Sequence, residues 1–314
     1  MAVPLDAAAA LPADARARLL RRATGASLAV AAIFTVAKLA AFTVTDSTAM
    51  LATLIDSLLD VVTALLNLLA VRQALVPADR EHRFGHGKAE SLAGLGQSVF
   101  IGGSAVFLFV QAGRRLVDPQ PIDNSLIGIA VVVASMIATV LLVRYQAAVV
   151  RRTGSIAISA DRLHYASDLM LNGGVILALV LASWLGWSWI DPVFALAIGG
   201  VVLYGAWRIV LQSLDTLMDR ELGDAERARI RALCQAHPEV LDVHEMRTRR
   251  AGADIFIQLH LVLDGAMTLR HANAIAHAVE QSIQAEFPGA EVLIHEDPSS
   301  ETPEVAPWRQ GGAA

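Results

Sequence analysis

Six apolar stretches of near 20 residues each constrain this chain more than any other feature. They fall at about residues 27–43, 50–71, 92–111, 126–143, 157–185 and 193–211. As helices, such runs match the roughly 30 Å hydrocarbon thickness of a bilayer. The 314 residues are 55% hydrophobic and only 18% charged, with a mean hydropathy of +0.51. Soluble domains rarely combine these values, so the expected fold is a multi-pass α-helical membrane domain with six transmembrane helices, over about 23–212.

The links between the runs alternate in charge. One set carries Arg72, Arg80, Arg83 and Lys88, then Arg144, Arg151 and Arg152; the opposite set carries only Arg114 and Arg115. With Arg16, Arg18, Arg21 and Arg22 ahead of the first run, the positive-inside rule predicts that both termini lie in the cytoplasm. Residues 1–22 lack the short apolar core and cleavage site of a secretory signal. They read as a cytoplasmic lead-in, partly helical at best.

Beyond about residue 213 the composition becomes that of a soluble domain. "GDAERARIRALCQAHP" reads as a helix with Asp224 as N-cap. "VLDVHEMRTRRAGADIFIQLHLVL" reads as two strands around a turn at Gly252. A further helix and a last strand, "AEVLIHED", complete a small α+β layer of order αββαβ over 213–298. Residues 299–314 are expected to be a disordered tail. A net charge of −5 without a basic stripe excludes a nucleic-acid partner. The single cysteine, Cys234, excludes an internal disulfide and is expected to be a half-buried helix residue.

Two of the apolar runs carry polar groups in matching positions: Asp56 and Asp60 in one, His164 and Asp168 in the other. Each pair is spaced by four residues, so both members share a helix face. A carboxylate at the centre of a membrane helix costs about 2.5–3.5 kcal/mol on insertion scales, which argues against three of them as decoration. Packed face to face, the two helices would gather three carboxylates and one imidazole into a cage for zinc or ferrous iron. Lys38, inside the first run, needs a partner or a route to the interface; a structural role is expected.

Two more clusters have metal-ligand spacing. Asp79, His82 and His86 lie in one short polar link. In the soluble part, a hairpin at Gly252 would set His244 opposite His260, and His295 and Asp297 point to one side of the last strand. His271 and His277 read as surface residues beside that set.

Together these residues resemble the cation diffusion facilitator family, most closely its bacterial ferrous-iron and zinc efflux subfamily. The resemblance runs from about residue 22 to 298 and rests on "DSLLD", "PADREHRFGHGKAES", "HYASD", "RTR" and "IHEDP", in that order. It implies a homodimeric antiporter of a bacterial inner membrane, exporting zinc, ferrous iron or cadmium in exchange for protons. It also implies a transport site at Asp56, Asp60, His164 and Asp168, and a loop site at Asp79, His82 and His86. The soluble part would be a metallochaperone-like zinc-binding domain at the dimer interface, using His244, His260, His295 and Asp297. Asn273 stands where close relatives have a further histidine, which departs from the family pattern of the cytoplasmic site.

Such a site favours exchange, because metal ligation needs deprotonated donors and clustered carboxylates take up protons once the cation leaves. An intramembrane metalloenzyme would need an open coordination position and a general base, and "HExxH" is absent. A passive channel would need weak, multi-site binding rather than one four-donor cage.

Overall fold

The computed structural model describes residues 11–45, 48–117, 126–185 and 190–299. The expected tail beyond residue 299 lies outside the described residues, as do the links at 118–125 and 186–189. Two compact units divide near residue 214.

In the first unit every apolar run is helical: α1 (Ala13–Thr45), α2 (Thr48–Ala74), α3 (Lys88–Val117), α4 (Leu126–Thr153), α5 (Ile156–Leu185) and α6 (Ile190–Leu217). Among the described residues, α1 to α4 and α6 are long and apolar enough to cross a membrane. Helix α5 is as long, at 30 residues, but Asp161, Arg162 and Asp168 interrupt its apolar first half. The helices run beyond the apolar stretches. The lead-in expected to be at most partly helical is continuous helix from Ala13, because Leu20 and Ala23 are fully buried and Asp14 pairs with Arg18 one turn on. Between α4 and α5 the basic link shrinks to a corner. Gly154 takes a left-handed φ of 64° there, and Ser155 Oγ accepts from the Ile158 N–H at 3.2 Å.

Burial in this unit is inverted relative to a water-soluble bundle. Ile33, Leu66, Phe107, Val201 and Trp207 point outward, each 58–64% exposed. Thr24, Ser27, Gln146 and Asp161 are almost fully enclosed. An apolar jacket around a polar seam suits lipid as solvent. Helix α1 packs on α2 and α4, α4 on α5, and α3 on α2 and α5. Helix α6 closes against α3 through Ile101, Ala105, Val202 and Ala206, and against α5 through Ile156, Ala160 and Ile209. Lys38 ties α1 to α2: its Nζ donates to Ser57 Oγ at 2.6 Å and to the Thr53 carbonyl at 3.3 Å. The small residues of α3 serve unequally. A Cβ on Gly94 would sit 2.6 Å from Ile156 Cγ2, whereas Gly96 and Gly103 meet nothing within 4 Å.

The second unit is a three-stranded sheet covered by two helices, α7 (Asp224–Gln235) and α8 (Leu269–Glu286). Strand β1 (Asp242–Ala251) pairs antiparallel with β2 (Asp254–Leu263), which pairs parallel with β3 (Glu291–Pro298). Chain order is αββαβ, as expected. The N-cap of α7 is Gly223, not Asp224, and the Glu226 carboxylate reaches back to the Gly223 N–H at 2.9 Å. Ile230 and Cys234 of α7 and Ile275, Val279 and Ile283 of α8 fill the layer beneath the sheet. Cys234 is fully rather than half buried, and burial pushes its thiol up to about 11, which leaves almost no reactive thiolate at neutral pH.

Candidate metal centre

Helices α2 and α5 bring Asp60, His164 and Asp168 together, with one donor atom of each lying within 4.8 Å of the others. His164 Nε2 is 2.9 Å from Asp60 Oδ1 and 3.7 Å from Asp168 Oδ2. The four-residue spacing of His164 and Asp168 puts both on the α5 face turned toward α2 and α3. Asp56, one turn from Asp60 on α2, falls outside that 4.8 Å group and is exposed. The imidazole is nearly enclosed and rests against Tyr165, ring centroids 5.4 Å apart. A cavity opens beside it between α3, α5 and α6, lined by Ile101, Ala105, His164, Asp168, Leu171 and Val202 among others. Two carboxylates and an imidazole around one point, beside a cavity, form a donor set suited to a borderline divalent cation.

The loop between α2 and α3 gathers Asp79, His82 and His86, again within 4.8 Å. It does so with a turn rather than a helix. Asp79 Oδ1 accepts from the backbone N–H of His82 at 2.6 Å and of Glu81 at 2.9 Å. These bonds, the His82 one foremost, hold the Asp79 carboxyl below the usual carboxylate range. Gly85, at φ 76°, turns the chain so that the His82 and His86 rings approach to 4.5 Å. His86 Nδ1 lies 3.3 Å from the Val76 carbonyl, which leaves Nε2, 3.4 Å from Asp79 Oδ2, as the free donor.

In the second unit Asp297, only 6% exposed, is ringed by imidazoles. Its Oδ2 is 2.9 Å from His260 Nδ1 and 3.0 Å from His244 Nε2, and its Oδ1 is 3.1 Å from His295 Nε2. His244 pairs with His260 across β1 and β2, and His260 with His295 across β2 and β3. His244, His260 and Asp297 share one 4.8 Å group; His295 falls outside it, although its ring lies 4.6 Å from that of His260 and its Nε2 meets Asp297 Oδ1. A regular ladder continued from the Ala251–Asp254 pair would set His244 opposite Leu261. A bulge between His244 and Arg247, with Glu245 at φ 47°, shifts the register by one residue and aligns the histidines. Glu245 Oε2 lies 3.9 Å from His260 Nε2. His271 and His277 pair with Glu239 and Glu280 at the surface, and Asn273 is exposed on α8.

Sequence reasoning passed over two acidic residues beside these clusters: Glu245, whose role follows from the bulge, and Asp161, buried three residues before His164. A second carboxylate in the same apolar run as Asp168 was the available signal for Asp161.

Comparison with known proteins adds an independent line. The cation efflux transmembrane domain matches residues 25–218, and the cytoplasmic domain of cation efflux proteins matches residues 222–299. A cation-efflux pump, FieF, of Serratia proteamaculans is 50% identical over 267 residues, covering 85% of this chain and 88% of the relative. The pump of the same name from Salmonella arizonae is 48% identical over 259 residues, covering 82% and 86%. Among solved structures, the zinc form of a zinc transporter, CzrB, is 34% identical over 27% of this chain and 98% of its own, with a TM-score of 0.26.

Proposed function

Because this chain belongs to the cation efflux, or cation diffusion facilitator, family of membrane transporters, we propose that it exports zinc from the cytoplasm in exchange for protons. The chain is a cation-efflux pump, not an enzyme. Ferrous iron and cadmium satisfy the same donors. The observation that carries the reading is the cluster of Asp60, His164 and Asp168 on two apolar helices, beside a cavity. Asp56, one turn from Asp60, joins as the fourth donor when α2 and α5 close around an ion.

The mechanism is mutual exclusion. Carboxylates and imidazole ligate only when deprotonated, so cation binding expels protons and cation release readmits them. Either cargo would leave only when the helices turn the site toward one side of the membrane and then the other. An inward proton gradient then moves metal outward. The excess of basic residues in alternate links supports cytoplasmic termini in the inner membrane. Asp79, His82 and His86 would collect metal at the cytoplasmic mouth. His244, His260, His295 and Asp297 would hold zinc in the cytoplasmic domain of a homodimer. The buried Asp297 carboxylate, with three imidazoles within 3.1 Å of its oxygens, supports such a site. Zinc there would bias the dimer toward an active geometry as free metal rises.

Asp297→Ala is expected to weaken zinc binding at the cytoplasmic site by about 100-fold, since even outer-shell partners of metal ligands account for 10–100-fold. Competition against a fluorescent chelator on the purified full chain measures it; unchanged affinity would remove Asp297 from the site. For the function as a whole, the chain in proteoliposomes should take up zinc while protons leave, so that lumenal pH rises. Zinc entry without any proton movement would mark a passive channel instead.

A further inference from the structure

Asp161 is 1% exposed, lies outside the metal cluster and receives hydrogen bonds from three other helices. Its Oδ2 accepts from Ser27 Oγ of α1 at 2.5 Å and from Gln146 Nε2 of α4 at 2.7 Å. Its Oδ1 accepts from Gln97 Nε2 of α3 at 3.2 Å. Gln146 Nε2 also reaches Ser27 Oγ at 3.0 Å, and the Tyr165 hydroxyl donates to the Ser27 carbonyl at 3.2 Å. The bonds toward α1 and α4 are thus short and mutually braced, whereas the single bond toward α3 is long. The amide oxygens of both Gln97 and Gln146 are buried and, among the described residues, find no hydrogen-bond partner, so bond length alone separates the two ties. The Gln97 bond is therefore the longest and weakest of the three that the Asp161 carboxylate accepts.

Gln97 belongs to a row on α3. Glu90, Gly94, Gln97 and Ile101 follow i, i+4, i+7, i+11 spacing and share one face. Each of the first three meets another helix. Glu90 pairs with Arg16 of α1 at 3.3 Å, with both side chains almost enclosed. Gly94 abuts Ile156 of α5 with no room for a Cβ, and Gln97 meets Asp161. At Ile101 the contacts give way to the cavity that holds His164 and Asp168. Among the described residues the bundle is therefore shut between His164 and the end where α1, α3 and α5 begin, with the cavity on the other side of that seam.

We infer that Asp161 is a positioning residue of transport: with Gln97, and with the Arg16–Glu90 pair one layer further out, it latches the first turns of α3 to α1 and α5, and metal reaches the Asp60–His164–Asp168 cluster from that end only when the latch parts. This rests on the proposed exporter, in which that end faces the cytoplasm. Asp161 ligates nothing in this scheme; it sets which side of the membrane sees the site.

The test reads sidedness rather than flux. A Ser104→Cys reporter lines the cavity, and Cys234 is buried enough to stay silent. A membrane-impermeant thiol reagent is applied to the full chain in right-side-out and inside-out vesicles. The unmodified latch should give labelling from the outer face and little from the cytoplasmic face. Gln97→Leu, which keeps the bulk and loses the donor, should raise cytoplasmic-face labelling about tenfold, equivalent to about 1.4 kcal/mol of population shift. Gly94→Ala, which wedges the same seam sterically, should act in the same direction. If either variant inserts normally and keeps the native sidedness, the latch is wrong, even while the unaltered chain transports zinc. Absence of zinc flux in the unaltered chain would instead count against the exporter.

Discussion

Asp60→Ala is expected to reduce zinc flux in proteoliposomes by about 100-fold or more, to the level of empty vesicles, while the chain still inserts and folds. The side chain gives His164 its closest partner, at 2.9 Å, and is the only member of the 4.8 Å cluster supplied by α2. Without it the observed cluster keeps only His164 and Asp168, one turn apart on α5, and Asp56 alone does not restore a four-donor cage around a dication, so the loss exceeds the 10–100-fold typical of supporting residues. The folding cost is modest by comparison. Losing a partner for one buried imidazole is worth about 1–3 kcal/mol, and the contacts of α2 with α1 and α3 remain. Radiolabelled zinc uptake with circular dichroism on the same sample checks both halves. Near-normal uptake by a well-folded Asp60→Ala would move the transport site elsewhere.

His164→Asp is the second large effect, and it changes preference rather than abolishing activity. The imidazole is the only nitrogen in the proposed donor set; an aspartate makes the set all-oxygen, which suits manganese and other hard cations better than zinc. The zinc-to-manganese flux ratio should fall at least about tenfold, which needs only ~1.4 kcal/mol of differential affinity. The shorter side chain also withdraws from Tyr165 and Phe100, whose rings lie 5.4 and 6.2 Å from the imidazole, and the added room favours a larger, more highly coordinated ion. Competition uptake with both metals present measures the ratio. An unchanged ratio would mean that His164 does not contact the cargo.

Much of this was legible in the sequence because membrane helices and metal ligands both follow simple periodicities. Apolar length located all six helices, and the four-residue spacing put His164 and Asp168 on one face of α5. The two-residue period of β3 likewise put His295 and Asp297 on one side. What was missed depends on contacts between distant segments. Nothing local to residues 13–22 reveals that Leu20 is fully buried and that Arg16 pairs with Glu90, 74 residues away, so a helix looked like a loose lead-in. The pairing of His244 with His260 was expected from the hairpin, but a regular hairpin would have missed it by one residue. The bulge at Glu245, in a left-handed conformation that an ordinary side chain seldom takes, supplies the correction. Asp161 drew no reading from the sequence, because Ser27, Gln97 and Gln146 are 134, 64 and 15 residues away in the chain.

Proton release on zinc binding tests the central exchange most directly. Zinc is titrated into the purified chain with the loop and cytoplasmic donors replaced (His82→Ala, His86→Ala, Asp297→Ala), in weakly buffered solution with a pH indicator, beside the same chain carrying Asp60→Ala as well. The site proposed here should release at least one proton per zinc bound, and its zinc affinity should fall steadily as pH is lowered. The Asp60→Ala chain should show neither effect. Stoichiometric zinc binding that releases no protons and keeps the same affinity from pH 8 to pH 6, values roughly bracketing the range where imidazole titrates, would contradict the competition between proton and metal on which the transport cycle depends.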